Sequence, residues 1–231
     1  MAMQFYDLAG ADPLVRFSPY CWRIRMALAH KGLDAETIPW RFSEKAALAF
    51  SGQSLVPVLV DGKKIISDSW TIAEHLEDAY PSRPPLFEGD TARALTRFVN
   101  AWTDSVVHPL VARLVVRDIL DVLGPEDQAY FRQSREARLG ATLEAFVADR
   151  DTHLAAFRRT LQPARLTLQT QPFLAGPEPG YADYILFGAF QWARSVSPLH
   201  LLEAADPVHA WREQMLDLFG GLARSAKGYE V

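Results

Sequence analysis

Strand-forming signals are confined to the first 80 residues of this 231-residue chain, and a cluster of prolines marks where they stop. Gln4 to Leu8 reads as a short strand, followed by a loop from Ala9 to Phe17. Ser18-Pro19 then opens a helix, because serine is a preferred N-cap and proline suits the first turn. Lys31-Gly32 ends it, with glycine at the usual stop position. Ala35 to Trp40 is a second strand, and Ser43 to Phe50 a short helix. Val56 to Ile66 reads as a hairpin around Asp61-Gly62, the favoured type I′ turn pair. Asp68-Ser69 starts a helix that runs to Tyr80, with Ile72, Ala73 and Leu76 on one face. The order is β-α-β-α-β-β-α. The second strand is expected to join the sheet by a right-handed crossover, and the hairpin makes the sheet mixed.

Beyond Pro81, Pro84 and Pro85 only helical patterns remain. Thr91 to Leu123 reads as one long helix, ended by Gly124-Pro125. Glu126 to Arg150 and Leu154 to Gln169 follow. After a Pro- and Gly-rich stretch, Gln171 to Gly180, come an apolar and buried helix, Tyr181 to Ser195, and an amphipathic one, Pro207 to Ala223. The fold class is therefore α/β plus all-α, with a domain over 1–80, a linker over 81–90 and a helical domain over 91–231.

The formal net charge is −4, from 24 basic and 28 acidic residues. Neither half of the chain is basic, which argues against nucleic acid and anionic membranes as partners. Cys21 is the single cysteine, so no intrachain disulfide is expected, as suits a reducing compartment. The first residues lack the pattern of a secretory signal, and no apolar run is long enough to span a membrane. A cytoplasmic protein is expected. His30, His75, His108, His153, His200 and His209 are scattered without metal-ligand spacing, so no metal is expected.

Three features carry chemistry. Ser18-Pro19-Tyr20-Cys21 begins a helix, where unpaired N–H groups and positive partial charge favour an anion such as a thiolate. A serine hydroxyl there is either a simple N-cap or a hydrogen-bond donor to that anion. Val56-Pro57 opens the third strand, where proline belongs because it cannot donate to a ladder. The bond is either an ordinary trans one or a cis one that turns the Val56 backbone outward for a peptide ligand to pair with. Asp68-Ser69 is either a capping pair or a holder for the ammonium and carboxylate of an α-amino acid.

The order and spacing of these features, with Asp68-Ser69-Trp70-Thr71-Ile72-Ala73-Glu74-His75-Leu76, resemble the glutathione transferase superfamily over the whole chain. That resemblance implies a thioredoxin-like domain followed by a helical one. It also implies a cis Val56-Pro57 bond with the Val56 backbone paired to the cysteinyl part of glutathione. Asp68 and Ser69 would hold the γ-glutamyl end, and the Ser18 hydroxyl would stabilise the thiolate. Gln53, with Ser54 beside it, and Trp40 are candidates for the glycyl end. Val15 and Phe17 on one side, and Trp102 and Val106 on the other, are candidates for walls of an electrophile site. Phe98, Phe190 and Trp192 read as core.

Phe17 to Arg23, Asp68-Ser69-Trp70 and Tyr80 to Phe87 look like the bacterial β-etherase group and a related fungal serine-type class, which implies aryl ethers as one kind of electrophile. The family's pairing implies a homodimer. The expected activity is transfer of glutathione, the only cosubstrate, to a small hydrophobic electrophile. The rivals are a non-catalytic glutathione carrier and a thiol reductase using Cys21. One departure concerns the buried helix: Gly180 stands where the family places a capping hydroxyl, although Asp183 keeps the other half of that box.

Overall fold

The computed structural model describes residues 3–231. Its sheet has four strands, β1 (Met3–Leu8), β2 (Ala35–Trp40), β3 (Val58–Asp61) and β4 (Lys64–Ser67), in the order β2-β1-β3-β4. The β1–β2 pair is parallel, and β1–β3 and β3–β4 are antiparallel. Helices α1 (Pro19–His30) and α2 (Ser69–Ala79) pack against each other beside it. Phe5, Val58, Leu59, Ile24 and Ile72 are fully buried, so the core of this unit lies between sheet and helices.

Two local readings change. Asp61 pairs with Lys64, so the hairpin loop is Gly62-Lys63 rather than a turn centred on Asp61-Gly62. Positive φ falls on Gly62 and not on Lys63, which is the type II′ pattern rather than type I′. The short helix expected over Ser43 to Phe50 is a 3₁₀ segment, Lys45–Ser51. Only Leu48 of it is buried, so little packing favours a longer α-helical ladder.

The second unit contains α3 (Asp90–Trp102), α4 (His108–Val115), α5 (Pro125–Leu139), α6 (Leu143–Phe146), α7 (Arg150–Thr160), α8 (Gln162–Leu168), α9 (Tyr181–Val196) and α10 (Pro207–Gly221). The single helix expected from Thr91 to Leu123 is broken. A π-helical turn, Thr103–Val107, separates α3 from α4, and a 3₁₀ turn, Asp118–Val122, follows. The helix expected from Glu126 to Arg150 ends early at Gly140, whose φ of 67° terminates α5. Pro163 starts α8 and divides the helix expected from Leu154 to Gln169. Leu218, Phe219 and Gly220 leave helical geometry inside α10.

Helix α9 is buried at every position except Trp192, as an all-round apolar helix must be. The missing capping hydroxyl at Gly180 has a steric cause: a Cβ there would lie 2.7 Å from the Ala175 Cβ and 3.3 Å from the Leu86 carbonyl oxygen. Asp183 instead gathers four donors, the backbone N–H groups of Leu174, Ala175 and Gly180 and the Trp211 indole. Burial nevertheless outweighs them and raises its pKa.

Gly188 faces α1. A Cβ at this position would clash with the carbonyl oxygen of Pro19 and touch the Arg23 side chain. Gly188→Ala is therefore expected to destabilise the protein by about 1–3 kcal/mol through overpacking. Urea denaturation of the two proteins checks this; a wild-type midpoint in the variant would contradict it.

Candidate functional site

The sheet register gathers the three sequence features at one end. Val58 pairs with Ser67, so Val56-Pro57 and Asp68-Ser69 lie side by side where β3 begins and β4 ends. Tyr6 pairs with Val58, so the end of β1 arrives at the same place, and the loop after it leads to Ser18. The Val56-Pro57 bond is cis.

Ser18 caps α1. Its Oγ accepts the Cys21 N–H at 3.2 Å, and the Cys21 thiol lies within reach of its hydroxyl. Ser18 is buried, at 4% exposure. Asp68 caps α2 by accepting from the Thr71 N–H at 3.0 Å. Its φ of 74° is a region that non-glycine residues rarely occupy, at a cost of roughly 1–3 kcal/mol. The Ser69 carbonyl accepts the buried Tyr181 hydroxyl at 2.7 Å, which ties this helix start to the second domain.

Other expected positions lie elsewhere or are closed. Trp40 sits on β2, is 2% exposed, and donates its indole N–H to the Glu44 carbonyl at 2.8 Å. It is a core residue. Phe17 is also core, packed edge-on against Phe42, and Val15 is almost fully buried. Gln53 and Ser54 are exposed in the loop before Val56. Trp102 is half-buried, and Val106 is exposed on the π turn. A cavity of about 640 Å³ lies by His30, at the opposite end of α1 from Ser18.

Cys21 is fully buried. Burial first, and then the Asp7 carboxylate, push its thiol well above its usual pKa. Asp7 is itself completely buried, with Arg16 and Arg25 each 3.5 Å away. Burial still holds its pKa above the usual carboxylate range.

A second polar cluster, which the sequence did not single out, joins α1 to the π turn. The buried Arg23 guanidinium binds Asp104 at 2.7 Å and Asn100 at 2.9 Å. It also lies over the Tyr20 ring, 4.6 Å from its centre. His108 packs edge-on against Tyr20 and Trp192. The only sequence signals were the Tyr20/Arg23 and Asp104/His108 spacings of three and four, which place each pair on one helical face.

The matches to known families follow this architecture. A model of the glutathione S-transferase N-terminal domain matches residues 14–84, and one of the C-terminal domain matches residues 94–216. The chain belongs to the glutathione S-transferase family. It is 25% identical over 224 residues to a probable glutathione S-transferase, GSTU6, of Oryza sativa subsp. japonica, covering 90% of this chain and 86% of that one. It is 30% identical over 128 residues to a zeta class glutathione S-transferase of Euphorbia esula, covering 53% of this chain and 57% of that one. In fold it is similar to glutathione transferase GSTFuA3 of Phanerochaete chrysosporium, with a TM-score of 0.78 at 24% identity over 100% of this chain and 99% of that one. CsGST63524 of Ceriporiopsis subvermispora, solved in complex with glutathione, gives 0.77 at 23% identity over 98% and 95%.

Two outcomes follow from the buried groups of this family member. The Cys21 thiol stays protonated and shielded at pH 8, so a thiol-titrating disulfide reagent should label it only after unfolding; rapid labelling of native protein would contradict its burial. His108 has its pKa lowered to about 3, by burial first and by Arg23 second. Above about pH 6.5 it is neutral in both states and contributes no slope. Below that, the unfolded chain takes a proton that the folded one refuses, so stability falls towards pH 3 by up to about 1.4 kcal/mol per unit. His108→Gln should remove that increment from the pH dependence of unfolding, and an unchanged slope would show that His108 charges in the fold.

Proposed function

We propose that this chain ionises glutathione at the start of α1 and transfers it to a small hydrophobic electrophile held between the two domains. The observation that carries the reading is the Ser18 hydroxyl. It sits at a helix N-terminus, at the same sheet end as Val56 and the Asp68-Ser69 cap. The helix start and the hydroxyl both favour the charged form of a thiol placed there. In this reading the Val56 backbone pairs with the cysteinyl unit, Asp68 and Ser69 hold the γ-glutamyl end, and Gln53 contacts the glycyl carboxylate. Trp102 and Val106 line the electrophile side. Glutathione is the cosubstrate, and the presence of glutathione in the CsGST63524 crystals supports that choice of ligand. The likeness to β-etherases puts aryl ethers among the electrophiles to try.

The thiol-reductase alternative needs a reactive Cys21, and the burial of that thiol argues against it. A carrier would bind glutathione without ionising it. We place the enzyme in the cytoplasm and treat residues 1–80 and 91–231 as its two domains.

A homodimer is part of the same reading. Helix α3 exposes Leu95 and Phe98, at 66% and 73%, three residues apart on one face. Phe50, Leu55 and Ile65 of the first domain are exposed as well. Pairing the first domain of one copy with α3 of the other would cover both sets. Sedimentation at micromolar concentration should give twice the 25.9 kDa chain mass; a monomer mass would refute the pairing.

The transfer reading is checked with variants and a glutathione-consumption assay. Ser18→Ala should lower transfer to an aryl or benzylic halide by roughly 100-fold, the usual scale for losing one donor to a developing anion. It should also raise the pKa of bound glutathione, read from thiolate ultraviolet absorbance. Cys21→Ser should leave the rate nearly unchanged. The opposite pattern would transfer the chemistry to Cys21, and binding without thiolate absorbance would make the protein a carrier.

A further inference from the structure

Tyr20 stands two residues after Ser18, in the cleft between the domains. Its ring is held on one face by the Arg23 guanidinium, 4.6 Å from the centroid, and by the edge-on His108 ring at 5.2 Å. Arg23 is fixed in turn by Asp104 and Asn100 of the second domain. Tyr20 keeps 37% of its surface exposed, so the ring is oriented without being closed off. It also lies within electrostatic reach of both Asp68 and Asp104.

The hydrogen bonds around His108 decide what the Tyr20 hydroxyl can do. His108 Nδ1 lies 3.4 Å from both the Asp104 carboxylate and the Tyr20 oxygen, whereas its Nε2 is buried with no partner among the described residues. Nε2 lacks a partner in either tautomer, so Nδ1 decides: a bare lone pair there would face the Asp104 carboxylate at 3.4 Å, which a proton is drawn to. The ring therefore carries its proton on Nδ1. The Tyr20 oxygen then accepts from His108, and the Tyr20 O–H has no acceptor among the described residues. Burial, first, and the two neighbouring carboxylates keep that phenol protonated, because both raise its pKa.

We propose that Tyr20 is a second catalytic hydroxyl, which donates to an oxygen of the electrophile as negative charge develops there, and so selects substrates whose charge lands on oxygen. This rests on the glutathione-transfer reading and assigns its substrate class. For a carbonyl-conjugated alkene the balance is simple. Glutathione has lost its thiol proton to solvent. The thiolate sulfur forms a bond to the β-carbon, the alkene pair moves between the α-carbon and the carbonyl carbon, and the carbonyl pair moves onto oxygen. Tyr20 hydrogen-bonds that enolate oxygen until the α-carbon takes a proton from water. Donors aligned in advance on a developing oxyanion act where water is partly excluded, and they need no reorganisation during the reaction. A benzylic halide leaves its charge on halide instead and gives Tyr20 no oxygen to serve.

The test compares a phenyl-substituted enone with benzyl chloride, each with glutathione, in wild type and Tyr20→Phe. The phenylalanine ring keeps the stack under Arg23. The expected result is a loss of about 100-fold in kcat for the enone, with benzyl chloride turnover and the KM for glutathione unchanged. Equal losses with both electrophiles would make Tyr20 structural, and no loss with either would remove it from the chemistry; both outcomes overturn the proposal. If Tyr20→Phe does not fold, protein containing fluorotyrosine, with its more acidic phenol, should raise the enone-to-halide rate ratio, and an unchanged ratio overturns the proposal. Wild-type turnover of benzyl chloride that depends on Ser18, together with an unaffected enone rate in Tyr20→Phe, would leave the transfer reading standing and sink this inference alone. Glutathione consumption with neither electrophile would sink both.

Discussion

One face of α9 holds the molecule together. Tyr181 donates to the Ser69 carbonyl, Tyr184 meets His30 at 2.5 Å, Gly188 lets the Pro19 carbonyl approach, and Ser195 donates to the Arg16 carbonyl at 2.9 Å. These four positions are spaced by three, four and seven residues, so they share a stripe along the helix. Each touches a different part of the first domain: the start of α2, the end of α1, the start of α1, and the loop before it. The two helix N-termini that would face glutathione are thus positioned from behind by a single rigid element. Because α9 is buried almost all round, its burial supplies the apolar packing, and the few polar contacts set the register of the two domains.

The same arrangement separates two chemical environments along α1. On one side, Cys21 faces the core with Asp7, where burial keeps both the thiol and the carboxyl from ionising easily. At the helix start stand the Ser18 cap and, on a different face, the more exposed Tyr20. A helix turns through 3.6 residues, so a motif of four places its first and last members about one turn apart along the axis. The first is the cap, beside the unpaired N–H groups; the last lies inside, where its own N–H already bonds to Ser18. Position alone, more than the identity of either side chain, decides which one can meet a ligand anion.

Much of the fold was legible in the sequence because its signals are local. The strand at Gln4 to Leu8, the cap at Ser18, the hairpin and the stop at the prolines each depend on a few neighbouring residues. The second domain was read more coarsely. Nothing in the pattern from Thr91 to Leu123 announces a π turn at Thr103–Val107, since an inserted residue preserves the helical character on both sides. The site residues split in the same way. Ser18, Val56, Asp68 and Ser69 gather at one end of the sheet because strand register, a local matter, brings them there. The deep burial of Trp40 and Phe17 was not legible, because sequence alone does not say which side of a strand end or loop turns inward. Each ring is covered by Phe42, which packs on both. The Tyr20 cluster escaped notice because its members come from α1, α3, the π turn and α4, and only the packing of the two domains unites them.

The π turn explains how that cluster can exist. A regular helix from Asp90 to Val115 would hold Asn100, Asp104 and His108 to a fixed angular step. The π turn lies between the first and last of these and contains the second, so it widens the helix where Asp104 and His108 approach α1. Such a turn weakens the helical ladder, which is tolerated when other interactions compensate. Here Arg23 binds Asp104 and Asn100 from the first domain, in a side chain with no exposed surface. Removing Asp104 would leave the Arg23 charge buried with only the neutral Asn100 amide beside it, which is the costly arrangement. The distorted helix and the buried arginine therefore depend on each other across the domain boundary, and Tyr20 is held in the cleft by the contact that joins them.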